Sequence, residues 1–279
     1  MLNIEKLKEI LKEEGIESEQ ITITKNNVLC QAIRIILPGD PSVSPVVYYN
    51  SEETLESFLF KIRAVLDLGN PQIDVKKLTD LDYVKSHLTL GIQRKSTNTN
   101  LVKREILNLE VYMKITLELK NTDDVGTCRL NRNLQEQLNV REKELWEAAC
   151  ENTFKSYSIK NMYELCSIEN TDDCMMYVVT SSLQNAATAL CFPKLFKEFC
   201  ADKGEAGCYI LPSSLEELIV LPASAVERSG MCVSYLANMV QSVNAEAVEL
   251  EIQLDPVVYF YNACTNQIQI VAAANQEEQ

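Results

Sequence analysis

The chain has 279 residues, 46% of them hydrophobic, and a formal net charge of −14 from 26 basic and 40 acidic side chains. That is enough apolar material for a folded core in one or two domains, and the charge repels phosphate backbones and anionic lipid surfaces. A single histidine, His87, and eight glycines leave no material for a Ser-His-Asp triad, a Cys-His dyad or a multi-His metal site, and little for a phosphate-cradling loop.

Ile4, Leu7, Ile10 and Leu11 fall at helical spacing, with Gly15 where a helix stops. Lys and Glu alternate through residues 1–14 with no continuous apolar run, which predicts no secretory leader and a cytoplasmic protein. Residues 21–24 and 28–37 are β-branched or alternating around Asn26-Asn27, predicting a hairpin that ends at Pro38-Gly39-Asp40-Pro41. Residues 46–49 follow as a third strand. Asn50 and Glu53 form a capping-box pattern ahead of the stripe Leu55, Phe58, Leu59, Ile62, Val65 and Leu66, closed by Gly69-Asn70-Pro71. The first region therefore reads α, β, β, β, α.

Residues 83–92 are read as a strand that places Lys85, His87 and Thr89 on one solvated face. The polar run 96–100, flanked by Arg94-Lys95 and Lys103-Arg104, contains no interleaved aromatics and is read as a solvated connection rather than a nucleic-acid contact. Residues 106–119 are β-rich. Helices are expected over 130–140 and 142–154, the latter with Leu145, Trp146 and Ala149 on its buried face. A strand at 175–180 is followed by a helical stretch over 186–200, where Pro193 marks a break or a fresh first turn. Short strands at 209–211 and 218–221, a helix over 233–243 and a terminal hairpin of 257–261 with 267–271 complete the chain. Strands and helices mix without strict β-α-β alternation, so the fold class is α+β, with mainly antiparallel sheets and flanking helices. The expected organisation is an N-terminal α+β region over 1–95 and a C-terminal α+β region over 101–279, or one continuous domain. No apolar run approaches the roughly 18 to 20 residues of a spanning helix, so no membrane contact is expected.

The ten cysteines contain no C-x-x-C pair, and the gaps from Cys166 to Cys174 and from Cys200 to Cys208 are too long for a zinc knuckle. They are read mostly as small buried thiols, with no metal and no cofactor. The acidic pairs Asp123-Asp124, Asp172-Asp173, Glu216-Glu217 and Glu277-Glu278 are read as solvated loop charge. Neighbours on a strand point to opposite faces and do not converge by default. The tyrosines around 47–49 and 259–261 are read as sheet packing. The segment closest in pattern to a catalytic site is Ser213, Ser214, Glu216 and Glu217 after Pro212, where a hydroxyl stands near carboxylate bases. The same residues make a capping-box pattern, Ser214-x-x-Glu217, and no G-x-S-x-G elbow accompanies them. An enzyme would need Ser214, Glu217 and Asn152 to converge on one cleft.

The segment Cys208-Tyr-Ile-Leu-Pro-Ser-Ser-Leu-Glu-Glu-Leu-Ile-Val-Leu-Pro222 resembles an uncharacterised bacterial family of domains of unknown function, met mainly in Gram-positive gut-type anaerobes and often on mobile elements. Val43-Ser-Pro-Val-Val-Tyr48, Glu144-Leu-Trp-Glu-Ala-Ala-Cys-Glu-Asn-Thr153, Met176-Tyr-Val-Val-Thr180 with Ala186-Ala187, and Val257-Val-Tyr-Phe-Tyr261 resemble it in the same order. The similarity runs from about Pro45 to Ile268. In that family the position of Glu216 is commonly a histidine, and another often stands near Lys103-Arg104; neither is present here. The resemblance implies no activity, and it favours an architectural role for the 208–222 motif.

The function expected from these features is that of a non-enzymatic, acidic protein-interaction or regulatory factor whose partner is another protein. Two alternatives stay open: a carboxylate- and metal-dependent hydrolase or phosphoryl-transfer enzyme using Ser213, Ser214, Glu216 and Glu217, and a small-molecule-binding sensor.

Overall fold

A computed structural model describes residues 3–36, 44–49, 52–67, 74–118, 125–168 and 175–274. The chain forms two compact units, residues 1–76 with 117–126, and residues 77–116 with 127–279.

The first unit is helix α1 (Ile4–Glu13), the antiparallel strands β1 (Glu17–Lys25), β2 (Val28–Ile36) and β3 (Val46–Tyr49), and helix α2 (Leu55–Asp67). Asn3 caps α1 by accepting from the Lys6 amide at 3.1 Å. The β1–β2 turn is Asn26-Asn27, both in the left-handed region at φ 47° and 64°, as a two-residue hairpin matching the strand twist demands. Leu7, Leu11, Ile33, Ile35, Val47, Phe58 and Ile62 form its core. The α, β, β, β, α order is the one expected. The proposed stops at Pro38–Pro41 and Gly69–Pro71, and the Asn50 cap, lie outside the described residues.

The second unit begins with α3 (Leu81–His87), β4 (Leu88–Arg94), β5 (Lys103–Ile106), β6 (Leu109–Glu118) and β7 (Val125–Arg129), whose sheet runs β4-β6-β5 with β7 also pairing β6. One expectation fails here, and one is refined. Residues 81–87 are a helix because Asp80 accepts from the amides of Asp82 and Tyr83 and starts one, and the strand begins only at Leu88. The β-rich stretch 106–119 is cut by a turn at Leu107, φ 53°, which makes β5 and β6 a hairpin. Gly91 faces Tyr112 across β4 and β6. A Cβ there would lie 2.4 Å from the phenol ring, so only glycine lets the ring lie flat on the strand.

Next come α4 (Arg132–Gln137), α5 (Glu142–Phe154), β8 (Tyr157–Asn161), α6 (Met162–Leu165), β9 (Tyr177–Ser181), a 3-10 turn at Ala186–Cys191, and α7 (Pro193–Lys203). The helical stretch expected over 186–200 is a 3-10 turn followed by an α-helix that starts afresh at Pro193, where the sequence placed the break. The chain continues through β10 (Gly207–Pro212), β11 (Leu218–Pro222), α8 (Ala223–Ser229), α9 (Val233–Ala247), β12 (Val257–Asn262) and β13 (Gln267–Ala273). These strands build a six-stranded sheet in the order β13-β12-β10-β11-β9-β8, and its pairings are antiparallel.

Register gives each face of this sheet its own partner. Tyr259, Ile210, Val220 and Tyr177 align across four strands on the side where Phe199 of α7 meets the Tyr177 ring edge-on at 5.0 Å. Leu211, Leu221 and Val258 point the other way and form a core with Val226 of α8 and Leu236, Ala237 and Val240 of α9. The fold class is α+β. Among the described residues no helix is long and apolar enough to cross a membrane.

The thiols depart from the expectation. Of the nine described cysteines, all free, only Cys200 and Cys208 are buried; Cys166, Cys232 and Cys264 are exposed. Cysteine's weak polarity allows either place, and here sheet and helix registers decide it.

Candidate protein-docking face

Helix α9 carries one charge, Glu246, in fifteen residues. Its buried stripe, Leu236, Ala237, Val240 and Asn244, packs across β10, β12 and β13. Beside that stripe runs a second apolar one. Tyr235, Met239 and Val243 stand four residues apart, so they align on one helix face, and they are between 38% and 53% exposed. Leu250, past the helix end, is more exposed still. Single exposed apolar residues are ordinary, but an aligned row is the pattern of a contact surface.

The helix is held in place at its C-terminal end. The amide nitrogen of Gln253 donates to the carbonyls of Asn244 and Val248, both at 2.7 Å, and that of Asn244 donates to the Leu254 carbonyl at 3.0 Å. These bonds satisfy last-turn carbonyls that a helix leaves open. At the other end Cys232 occupies the N-cap position, exposed, with its Sγ 3.2 Å from the Ser234 hydroxyl. That hydrogen bond and the Tyr235 amide hold the thiol below the usual cysteine range.

Beneath α9 lies the end of the sheet. Strand β13 reads Gln-Ile-Gln-Ile-Val-Ala-Ala, without charge or proline, and among the described residues it pairs with β12 alone. Its Ile270 and Val271 side chains are exposed. The pairing slips one residue at Val258/Tyr259, where Val271 is the extra residue on β13; the bulge bends β13 itself, and among the described residues its outer edge stays unpaired. Natural sheets commonly blunt such an edge with charge, proline or a bulge; this one has the bulge at Val271 but neither charge nor proline.

The residues singled out from sequence occupy another place. Ser213, Ser214, Glu216 and Glu217 make the β10–β11 turn, where the Ser214 amide donates to the Glu217 carbonyl at 3.2 Å and the Ser214 hydroxyl accepts from the Glu216 amide at 3.0 Å. Ser214 is buried, and Glu216 and Glu217 are exposed. The hydroxyl thus closes a serine turn, a tighter form of the expected cap, and Leu215 ties the turn to the Ile252 carbonyl at 2.8 Å. Asn152 does not join it: its amide nitrogen donates to the Lys85 and Leu88 carbonyls, each at 2.9 Å. The pairs Asp123-Asp124, Asp172-Asp173 and Glu277-Glu278 lie outside the described residues. Among those described, no three His, Cys, Asp or Glu side chains are grouped to hold a metal ion.

The basic residues of 94–104 are engaged locally. Arg94 pairs with Asp255 at 3.4 Å, Lys95 with Glu105 at 2.5 Å and Lys103 with Glu110 at 2.7 Å, while Arg104 stacks on Trp146 at 4.3 Å.

Sequence reasoning missed the docking face. Its signal was present in the near absence of charge from residue 230 to 247 and the four-residue spacing of Tyr235, Met239 and Val243.

Compared with known proteins, the chain matches the family model DUF5688, a family of unknown function, over residues 3–263. No curated protein and no solved structure matches it.

Proposed function

The chain belongs to the DUF5688 family, a family of unknown function, and we propose that it is a non-enzymatic cytoplasmic factor that works by binding another protein. The observation that carries this reading is the open edge of β13, uncharged over seven residues. An extended segment that pairs with this edge gains a ladder of main-chain hydrogen bonds, and alternate side chains supply specificity. The stripe Tyr235, Met239 and Val243 adds apolar contact on the helix that packs over the same strand.

Electrostatics select the occupant. In a chain of net charge −14, an uncharged edge strand under a helix whose one charge is Glu246 accepts an uncharged, apolar extended segment along the edge.

Photo-crosslinking residues placed separately at Met239 and Ile270, in the native host, test this. Both positions are expected to capture the same protein, and Ile270→Lys, which puts a charge on the edge, is expected to abolish capture at Met239. Adducts of the chain with itself, or capture that Ile270→Lys leaves unchanged, would overturn the reading.

A further inference from the structure

Away from that face, around the only histidine, is a cleft of about 320 Å³ lined by Ser86, His87, Thr116, Asn152, Lys155 and Ser182 with their neighbours. Four segments distant in sequence supply these residues: the α3–β4 junction, β6, the end of α5 and the turn after β9. The volume is at the lower end of small-molecule sites.

The imidazole is held in one orientation. Its ring stacks on Tyr83 at 4.0 Å, nearly parallel at 19°, and Nδ1 lies 2.9 Å from both the Tyr83 carbonyl oxygen and the Ser86 hydroxyl. The Ser86 hydroxyl itself donates to the same carbonyl at 2.8 Å. A carbonyl only accepts, so the arrangement is satisfied when Nδ1 carries the proton. The ring's second nitrogen, Nε2, then has no bond among the described residues. Asn152 locks the end of α3 through the Lys85 and Leu88 carbonyls and so fixes the helix turn that presents the ring.

The other lining groups share one chemical character. The Thr116 and Ser182 hydroxyls have no hydrogen-bond partner among the described residues, Lys155 brings an ammonium, and no carboxylate lines the cleft. A cleft walled by hydroxyls, an imidazole and an ammonium is complementary to an anion with several oxygens, a local exception to the negative field of a chain of net charge −14. We propose that this cleft binds the phosphate group of a small molecule, whose oxygens meet the Nε2 edge of His87, the Lys155 ammonium and the Thr116 and Ser182 hydroxyls. This assignment is independent of the protein-contact reading.

The charged groups on the surrounding elements include Asp80, Asp82 and Lys85 at α3, Arg94 on β4, Lys114 and Glu118 on β6, and Glu144, Glu147 and Glu151 on α5 with Lys155 at its end. Lys85 is neutralised by Glu144 at 3.1 Å and Lys155 pairs with Glu151 at 2.8 Å, both members of the latter pair being solvent-exposed.

Because the chain has one histidine, its ring NMR signals need no assignment. The full chain is titrated with inorganic phosphate and, separately, with glycerol phosphate, at matched ionic strength with chloride as control. The expected result is a saturable shift of the ring signals and an upward move of the ring's titration. A stronger response to glycerol phosphate assigns the site to phosphorylated small molecules, and an equal one to phosphate itself. His87→Gln and Thr116→Val are expected to remove and to weaken, respectively, the gain in Tm that phosphate confers. Ring signals that neither probe moves at millimolar concentration, or that chloride moves equally, would overturn the proposal.

Discussion

The Tyr259 hydroxyl donates to the Asn108 side-chain oxygen at 2.7 Å across 151 positions of sequence, joining the six-stranded sheet to the β5–β6 turn of the other. Asn108 in turn donates to Asp255 at 2.9 Å, and Asp255 pairs with Arg94. Tyr259 is fully buried, and burial raises its phenol well above the ordinary tyrosine range, so at working pH the group is a fixed donor. Tyr259→Phe leaves the Asn108 oxygen without that donor and is expected to cost about 1–2 kcal/mol, read as a lower urea midpoint with an unchanged slope. No change in midpoint would show that the two sheets are not held by this bond.

Glu110 is 2% exposed and stands opposite Gln93 in the middle of the β4-β6-β5 sheet. Its carboxylate accepts from Gln93 at 2.6 Å, from Lys103 at 2.7 Å and from the Ser96 hydroxyl. Burial pushes its pKa up, but the Lys103, Ser96 and Gln93 bonds together outweigh burial and hold it below the usual carboxylate range. A carboxyl depressed in the folded state stabilises the fold above its unfolded pKa, and that stability is lost as pH falls through the folded value. Stability is therefore expected to fall on acidification below the ordinary carboxylate range, and in Glu110→Gln that component of the pH slope is expected to vanish. Lys103→Met leaves a buried carboxylate unpaired and is expected to cost about 3–5 kcal/mol at neutral pH; a loss under 1 kcal/mol, on the order of a surface pair, would show the pair to be hydrated.

Cys232, at the exposed start of α9, is expected to alkylate before Cys166 and Cys264, the other exposed thiols among the described residues. Hydrogen bonds from Ser234 and the Tyr235 amide favour its thiolate, which is the reacting form. Peptide mapping after brief treatment with iodoacetamide at neutral pH checks the order, and Ser234→Ala is expected to slow the reaction. A bulky maleimide at this position stands three residues from Tyr235 and is expected to reduce partner capture at Met239 while leaving phosphate binding at His87 intact.

Much of the fold was legible in local pattern. The α1 stripe, the Asn26-Asn27 hairpin and the β12–β13 hairpin were readable because each is decided by neighbours: apolar spacing sets the buried face, and asparagine tolerates the positive φ of a tight turn. Residues 83–92 were misread because β4 is buried along nearly its whole length and shows no alternation, while the Asp80 cap that starts α3 lies three residues before the window. The Ser214 turn was readable in kind, since a serine ahead of two glutamates serves local amides.

By itself the sequence determined the class of object: an acidic α+β chain, poor in histidine and glycine, with its short-range turns and caps in place. Only the tertiary structure decided which residues meet. His87 gains its cleft from segments around positions 116, 152 and 182, and the Tyr235 row becomes a surface because β13 ends the sheet beneath it. Both depend on strand order and helix packing. Those are set by the summed burial of side chains far apart in sequence, which no local window contains.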